Sequence, residues 1–318
     1  MKQVFALILA LIMIFSLGAC GSGPSESGSL TFTTGSDTGT YYAFGSVMGD
    51  KVSDSTDTQV TVISSNGSQA NIEALQAGDA DIAFVQSDVM AYGYNGTRLF
   101  AETGAVTTFS TVAAMYMEQV QLVTLDPSIN SVADLAGKHV SIGATGSGVY
   151  FNAMDILGVY GLTEDDIIPH FYDFRETIEA LRDGQIDAGF VVAGAPTNAV
   201  ATLAANHDAY LVSLDDEHIN ALIAVSPYYT KNTIGSEVYG TLEDVTTVGI
   251  SSVVIASDSA SEDDVYNFIS AVFNNLGTLD HNKTKEVSLD FAVSVTDVPY
   301  HPGAARYFRE RGLTVPTK

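Results

Sequence analysis

Two glycine-rich turns carry the residue types best suited to binding an anion. They span residues 35–41 (GSDTGTY) and 143–150 (GATGSGVY), and each follows an apolar run and enters a predicted helix. Such a turn presents unpaired backbone N–H groups and the positive end of the helix dipole, which favour a carboxylate or a phosphate. Hydroxyl groups add donors without a formal charge. The candidate ligand-binding residues of these turns are Gly35, Ser36, Thr38, Gly39, Thr40, Tyr41, Thr145, Gly146, Ser147 and Gly148.

The same glycines fit a plainer interpretation, in which they only satisfy the geometry of tight strand-to-helix turns. A single turn favours that interpretation, whereas one turn in each half of the chain favours a ligand. Neither turn matches a nucleotide motif. No Lys stands at the P-loop spacing, and residues 146–151 lack the third glycine of the dinucleotide fingerprint.

Polar residues also follow other predicted strands. Residues 64–71 (SSNGSQAN) lie between a strand and a helix start, where Asn and Ser equally suit turns and caps. Gln86 stands at the carboxyl end of a buried strand, which is the edge where α/β sheets bind ligands. The equivalent point of the second half, residues 193–198, is rich in small residues that permit close approach of a ligand or of the other half.

Support for catalysis is lacking in the sequence. It has no Gly-x-Ser-x-Gly nucleophile elbow, and its paired acidic residues are typical of helix starts and solvated surfaces. Its six His are scattered, so we expect them to be surface or packing residues. A net charge of −25 repels nucleic acid and anionic lipid headgroups alike. We therefore expect a binding protein that is not an enzyme, with no catalytic residue, no cofactor and no bound metal.

The first residues resemble a secretory signal. Lys2 precedes an apolar stretch, and Leu17-Gly18-Ala19-Cys20 resembles the bacterial lipobox, in which the Cys is acylated and becomes the mature N-terminus. We predict a signal peptide over residues 1–19 and a lipidated flexible tether, rich in Gly and Ser, over residues 20–29. The alternative is a soluble secreted protein with an incidental Cys. Lipidation of Cys20 predicts a membrane-anchored lipoprotein of the cell envelope that faces the extracytoplasmic side.

One α/β pattern occurs twice in the chain. The pattern IEALxxGxxDxxFV occupies residues 72–85 and 178–191, at a constant offset of 106. In each copy the first residues suit the inner face of a helix, the Gly suits the helix end, and the apolar run suits a strand covered on both faces. Coincidence among common helix-ending patterns is the alternative. The repeat predicts two similar lobes.

Two further strands are predicted to join these lobes, at residues 119–124 and 248–256. Two crossings form a hinge, and a hinge between α/β lobes leaves a cleft where ligands bind. We predict lobe I over residues 30–125 and 248–318, lobe II over residues 126–247, and a monomer.

The repeat, the glycine turns and the lipobox together resemble one family. The sequence is similar to the TAXI family of substrate-binding proteins of TRAP transporters, and the similarity spans essentially the whole mature chain. The matching segments are TGSDTGTYY (34–42), GSQAN (67–71), GDADIAFVQSD (78–88), DLAGKHV (134–140), GQIDAGFVVAGAP (184–196) and YHPGAARY (300–307). Asn66 departs from the pattern, because the family often has a second glycine there, and this leaves the geometry of that turn open.

The resemblance implies an α/β fold of the type II periplasmic-binding-protein class, with two lobes joined by a strand hinge and a ligand cleft between them. It implies capture of a small organic anion, either a glutamate-like amino acid or a 2-oxo acid or dicarboxylate. It implies delivery of that anion to the membrane subunits of an ion-driven TRAP permease. It also places a set of residues around the ligand: residues 35–41, Ser68, Asn71, Gln86, Ser147, Gly148 and Ala195.

Two other functions fit the same scaffold: an enzyme, or a sensory lipoprotein that uses the cleft to signal. Turnover of a ligand would indicate the enzyme, and a signalling partner would indicate the sensor. The sequence also admits a cation beside the ligand and a contact from Arg98, Arg175 or Arg182. Arg175 and Arg182 lie around a predicted helix, where solvated or ion-paired roles are common.

Overall fold

A computed structural model describes residues 28–318 of the chain. The predicted signal peptide, Cys20 and most of the predicted tether lie outside the described residues. Ordered strand structure begins at Ser29, one residue before the expected Leu30. Across residues 28–318, no helix has both the length and the apolar character that a membrane crossing requires.

The strands of the described residues form one mixed sheet of 10 strands. Their bounds are β1 Ser29–Thr33, β2 Gln59–Ile63, β3 Ile82–Gln86, β4 Phe109–Thr124, β5 His139–Ser141, β6 Ile168–His170, β7 Ala188–Ala193, β8 Tyr210–Leu211, β9 Thr230–Ile234 and β10 Val245–Ser257. The order across the sheet is β2-β1-β3-β10-β4-β7-β5-β6, with β8 paired to β4 and β9 paired to β10.

Helices connect most of these strands. The α-helices are α1 Thr40–Ser55, α2 Ser68–Ala77, α3 Ser87–Asn95, α4 Phe100–Thr103, α5 Gly148–Val159, α6 Phe174–Arg182, α7 Asn198–Asn206, α8 Asp216–Val225, α9 Ser236–Tyr239, α10 Glu262–Asn274, α11 Leu289–Ala292 and α12 Pro302–Arg309. Short 3-10 helices occupy Val132–Leu135, Glu164–Asp166, Leu276–Thr278 and Asn282–Lys285.

The two ends of the sheet repeat one topology. At one end β1 pairs in parallel with β2 and β3, and at the other end β5 pairs in parallel with β6 and β7. The third strand of each unit then pairs antiparallel with a long strand, β3 with β10 and β7 with β4. The predicted repeat is therefore confirmed as a shared topology. We call the unit built on β1–β3 lobe I and the unit built on β5–β7 lobe II.

The long strands β4 and β10 join the two units. They pair antiparallel with each other from Gly249 opposite Gln119 to Ser257 opposite Phe109. Beyond this shared stretch, β4 continues along β7 and β10 continues along β9, while β3 pairs with the other edge of β10 over Ser252–Ala256. The predicted strand hinge is confirmed in this form. The fold is a two-lobed α/β architecture of the type II periplasmic-binding-protein class.

Separate apolar cores stabilise the two lobes. In lobe I, Phe32 and Phe84 pack with ring centroids 5.2 Å apart, and Tyr41 stacks on Phe84 at 4.6 Å. In lobe II, Ile156 of α5 and Phe190 of β7 are fully buried in a second cluster. The Tyr41–Phe84 stack matters for the site, because it anchors the first turn of α1 to the carboxyl end of β3.

Helix ends follow the predicted local chemistry, with one correction. Gly78 ends α2 with a φ of 79°, a left-handed conformation that favours Gly, and Ser131 forms a capping box with Asp134. Ser68, one of the residues in 64–71 that suit a cap, does not cap α2, because Gly67 holds that position with a φ of 116°. Ser68 is instead the first helical residue, and its hydroxyl accepts the backbone N–H of Gln86 at 3.0 Å.

Candidate functional site

A cavity lies between the lobes, where the two glycine turns face each other. The space among its wall residues, counted together with the solvent at its mouth, is about 510 Å³. The residues of its wall are Gly35, Ser36, Gly39, Thr40, Tyr41, Ser65, Asn66, Gly67, Ser68, Gln86, Glu118, Ala144, Ser147, Gly148, Val149, Tyr172, Asp173, Phe174, Val192 and Ala193.

Helices α1, α2 and α5 begin at this cavity without a side-chain cap. Helices α1, α2 and α5 start after Gly39, Gly67 and Ser147, and no side chain at these positions hydrogen bonds to the first helical amides. Helices α6 and α8 differ, because Asp173 and Asp215 cap them by accepting a backbone N–H. Uncapped N-termini leave N–H donors and positive dipole ends. The cavity is therefore built to stabilise a negative charge without a cationic side chain.

Two buried polar atoms on the cavity wall have no hydrogen-bond partner: Gln86 Oε1 and Ser147 Oγ. Leaving such an atom unpaired costs about 1–3 kcal/mol, so the pair points to ligand groups that would satisfy them. A hydroxyl can donate or accept, whereas an amide oxygen only accepts. Gln86 Oε1 therefore requires a donor from the ligand.

A chain of hydrogen bonds fixes which way the Gln86 amide points. Tyr229 donates its hydroxyl hydrogen to Asp155 at 3.1 Å, so the Tyr229 oxygen accepts from Asn152 Nδ2 at 2.9 Å. Asn152 Nδ2 also donates to Asp88 at 3.0 Å. Asn152 Oδ1 is thereby left to accept, and Gln86 Nε2 donates to it at 2.9 Å. The unpaired atom of Gln86 is consequently its oxygen.

Glu118 contributes a buried carboxyl group to the cavity wall. Glu118 is 1 % exposed, and the Tyr41 hydroxyl donates a hydrogen bond to Glu118 Oε2 at 3.1 Å. Burial raises the pKa of Glu118 to about 8, although the hydrogen bond from Tyr41 opposes the rise. Burial therefore favours the protonated form of Glu118 near neutral pH.

The lobes touch each other around the cavity. The Ala70 N–H donates to Gly146 O at 2.9 Å, and Asn66 Nδ2 donates to Thr145 O at 3.0 Å. The Gln86–Asn152 bond also joins lobe I to lobe II. These contacts close the cleft, so the structure shows the lobes in a closed arrangement.

Cationic side chains near the cleft are already paired. Arg175 bonds both carboxylate oxygens of Asp37 at 2.6 Å across the mouth of the cleft. Arg98 pairs with Asp155, and Arg182 pairs with Asp183 at 2.9 Å. None of the three lies on the cavity wall. Within residues 28–318, no cluster of three or more His, Cys, Asp or Glu has the arrangement of a metal site.

The structure brings nine of the sequence-predicted site residues together on the cavity wall. They are Gly35, Ser36, Gly39, Thr40, Tyr41, Ser68, Gln86, Ser147 and Gly148. Contact of these residues with a ligand stays a prediction.

Five predicted residues lie elsewhere. Asn71 is fully buried and its amide is used inside lobe I, by Thr33, Thr34 and Phe84. Thr145 and Gly146 accept hydrogen bonds from the opposite lobe, as described above. Thr38 O accepts the N–H of Ala199, and the Ala195 N–H donates to Gln119 Oε1 at 2.9 Å. These positions hold the frame of the cavity rather than its wall.

Several wall residues were not singled out in the sequence. Tyr172, Asp173 and Phe174 enter from the loop before α6, and Glu118 enters from β4. Glu118 carried a usable signal, because it is the acidic residue in an otherwise uncharged and buried 16-residue strand. The loop before α6 has no sequence feature that predicts a place in the site, since its approach to the cavity depends on how the lobes meet.

A family model agrees with this architecture. The model described as the NMT1-like family matches residues 32–312, which is most of the chain. The chain belongs to the NMT1-like family. Solved structures share the fold of this NMT1-like protein at low sequence identity, and each covers most of both chains.

The alkanesulfonate-binding protein SsuA from Xanthomonas axonopodis pv. citri, bound to MOPS, is 15% identical with a TM-score of 0.53, covering 90% of this chain and 84% of its own. MatC from Rhodopseudomonas palustris, with bound malate, is 14% identical with a TM-score of 0.53, covering 81% and 86%. A protein from Bordetella bronchiseptica RB50 is 16% identical with a TM-score of 0.55, covering 83% and 76%. At these identities the similarity concerns the fold.

Proposed function

We propose that this NMT1-like protein is an extracytoplasmic solute-binding protein that captures a small organic anion. The observation that carries the proposal is the convergence of three uncapped helix N-termini on one cavity between two lobes. A net charge of −25 makes this device necessary, since the protein must attract an anion locally while repelling it globally. The structural neighbours support the proposal, because SsuA was solved with MOPS and MatC with malate.

The finer features extend the proposal from the sequence. The ligand is a glutamate-like amino acid or a 2-oxo acid or dicarboxylate, and the receiver is the membrane part of an ion-driven TRAP permease, as the TAXI resemblance implies. Residues 30–125 with 248–318 act as one lobe and residues 126–247 as the other. Acylated Cys20 anchors a monomer at the outer face of the membrane.

Closure of the lobes couples binding to recognition by the permease. The ligand docks on the lobe I turn, and the N-terminus of α5 in lobe II then adds donors to the same anion. Because these contacts form only when the lobes meet, the ligand favours the closed state. A permease that recognises the closed surface then receives loaded protein.

A thermal-shift screen tests this function directly. The panel contains L-glutamate, L-glutamine, L-alanine, 2-oxoglutarate, 2-hydroxyglutarate, pyruvate and malate. A true ligand at about 100 times its dissociation constant adds about 2.7 kcal/mol to the free energy of unfolding, which is easily measured as a rise in Tm. Small-angle scattering should show compaction with the same compound. Turnover of a compound would instead support the enzyme, and binding without compaction would contradict the closure mechanism.

The Arg175–Asp37 ion pair should contribute little to closure. We expect Arg175→Met to weaken binding of the tightest panel compound only a few-fold, and less at high salt, because both side chains are about half exposed. Arg182→Met is the control, since Arg182 pairs with Asp183 within lobe II. Calorimetry at low and high salt measures both variants. A loss that persists undiminished at high salt would contradict an exposed ion pair.

A further inference from the structure

Glu118 is difficult to explain in a cavity designed only for anions. It is buried, it faces the same space as the three helix N-termini, and its strand β4 is otherwise uncharged. A buried carboxylate without a counter-charge is costly. The other acidic residue of the wall, Asp173, caps α6 by accepting the N–H of Glu176 at 2.8 Å. Glu118 caps no helix, and the hydrogen bond that the described residues give it comes from the Tyr41 hydroxyl.

No protein cation neutralises Glu118 within hydrogen-bonding distance in the described residues. Lys283 is the cation whose charge lowers the pKa of Glu118, but its ammonium group forms an ion pair with Glu286 at 2.6 Å. The hydroxyl of Tyr41 supplies the hydrogen bond to Glu118 that the geometry shows. The carboxyl group is thus available to a ligand.

Gln86 also needs a hydrogen-bond donor, for a reason independent of Glu118. Its unpaired Oε1 is a hydrogen-bond acceptor, as the network through Asn152 and Tyr229 requires. A ligand that offered only carboxylate oxygens would leave this acceptor unsatisfied and would be compatible with Glu118 only in its protonated form. When Glu118 is ionised, the wall presents two acceptors, Glu118 and Gln86, opposite a set of backbone donors.

We propose that Glu118 and Gln86 receive the ammonium group of an α-amino acid, whose carboxylate lies at the N-termini of α1, α2 and α5. This inference rests on the proposed function and selects among its ligands. A zwitterion matches both halves of the cavity, whereas a 2-oxo acid or a dicarboxylate of the same size matches only the donors. Glu118 is then a specificity-determining residue.

The wild-type protein already tests this choice with matched compounds. L-glutamate, 2-hydroxyglutarate and 2-oxoglutarate differ only at the C2 substituent, as do L-alanine and pyruvate. We expect calorimetry on the purified protein to show binding by an amino acid and binding weaker by about 10- to 100-fold for its oxo counterpart, as expected for loss of a charged hydrogen bond.

The variant Glu118→Gln keeps the shape and removes the charge. We expect it to lose about 10- to 100-fold in affinity for the amino acid and to bind the oxo acid as well as or better than wild type. Glu73→Gln is the matched control, because Glu73 is an exposed residue of α2 in the same lobe. It should leave the preference unchanged.

Proton release gives a second measurement that does not depend on the variant's stability. The titratable groups that interact with Glu118 are Asp88, Lys283 and the neutral phenols of Tyr41 and Tyr116. The ligand ammonium keeps its proton and favours ionised Glu118, so a protonated Glu118 releases its proton to solvent on binding. Amino-acid affinity should therefore rise as the pH increases from about 6 to about 8. A dianion bound by protonated Glu118 would show the opposite slope.

The outcomes separate this inference from the function on which it rests. Preference for 2-oxoglutarate over L-glutamate, or equal loss of both in Glu118→Gln, overturns the role of Glu118 and leaves a solute-binding protein in place. Absence of binding by every panel compound overturns both. Amino-acid preference that disappears in Glu118→Gln and persists in Glu73→Gln supports the inference.

Discussion

Replacing Gly148 with Val is expected to remove most ligand binding while leaving the fold intact. A Cβ atom at Gly148 would lie 1.8 Å from Gln86 Oε1 and 2.9 Å from Ser68 Oγ. Both of these atoms belong to lobe I, whereas Gly148 begins helix α5 of lobe II. The clash therefore arises only when the lobes close. Overpacking of this kind costs about 1–3 kcal/mol, which corresponds to an affinity lower by about 10- to 100-fold.

The same helix offers a matched control. Gly158 lies near the end of α5, and a Cβ atom placed there meets nothing within 4 Å. Gly158→Val should bind the tightest panel compound like wild type, so the comparison separates closure from helix propensity. Calorimetry gives the affinities, and thermal unfolding without ligand should give similar Tm values for both variants. Wild-type affinity in Gly148→Val would show that the lobes do not need to meet at α5.

The two-lobed architecture could be predicted from the sequence because the same pattern occurs in both copies of the repeat, and each copy supports the interpretation of the other. Glycines at 78 and 184, each followed by an apolar run at the same spacing, specify a helix end and a buried strand twice. The structure realises both copies as parallel units with one strand order, β2-β1-β3 and β6-β5-β7. Local chemistry decides such features, since a left-handed Gly and a run of buried residues act over a few positions.

The cavity could be predicted only in part, because many of its wall residues are brought together from segments that are distant in the sequence. The local sequence around turn residues such as Ser36 and Ser147 predicts a helix N-terminus. Asn71 has the same polar character, yet its amide is consumed by backbone oxygens of Thr34 and Phe84 inside lobe I. Which of two similar Asn or Ser residues faces a ligand depends on partners from distant strands, and no local pattern records those partners.

Asn152 and Glu118 could not be recognised as site residues from the sequence for the same reason. Asn152 occupies an unremarkable helix position, and its importance comes from partners that lie 64 and 66 residues earlier in the chain, Asp88 and Gln86. Glu118 is conspicuous as a charge in a buried strand, but only the structure shows that the strand passes the cavity. Buried polar residues are therefore better guides to function than exposed ones in this fold.

Asn152→Leu is expected to weaken ligand binding by about 100-fold, since closing the lobes would leave Gln86 Nε2 and Asp88 without their partner at a cost of about 1–3 kcal/mol each. Both of those groups are buried against α5 in the closed arrangement. In an open arrangement water can satisfy them, so the substitution penalises the closed state more than the open one. Tyr229 keeps its hydrogen bond to Asp155, which limits the damage inside lobe II.

The control for Asn152→Leu is Asn206→Leu. Asn206 makes only a local side-chain bond, from Nδ2 to Thr202 O at 2.8 Å within α7, and it is exposed. Calorimetry with the tightest panel compound should show near wild-type affinity for this control, and scattering should show that Asn152→Leu no longer becomes compact with ligand. If Asn152→Leu lowered Tm without ligand but kept its affinity, the network would support lobe stability rather than closure. The position of Gln86 in the cavity would then be fixed without Asn152, by the Ser68 hydroxyl and by the pairing of β3 with β10.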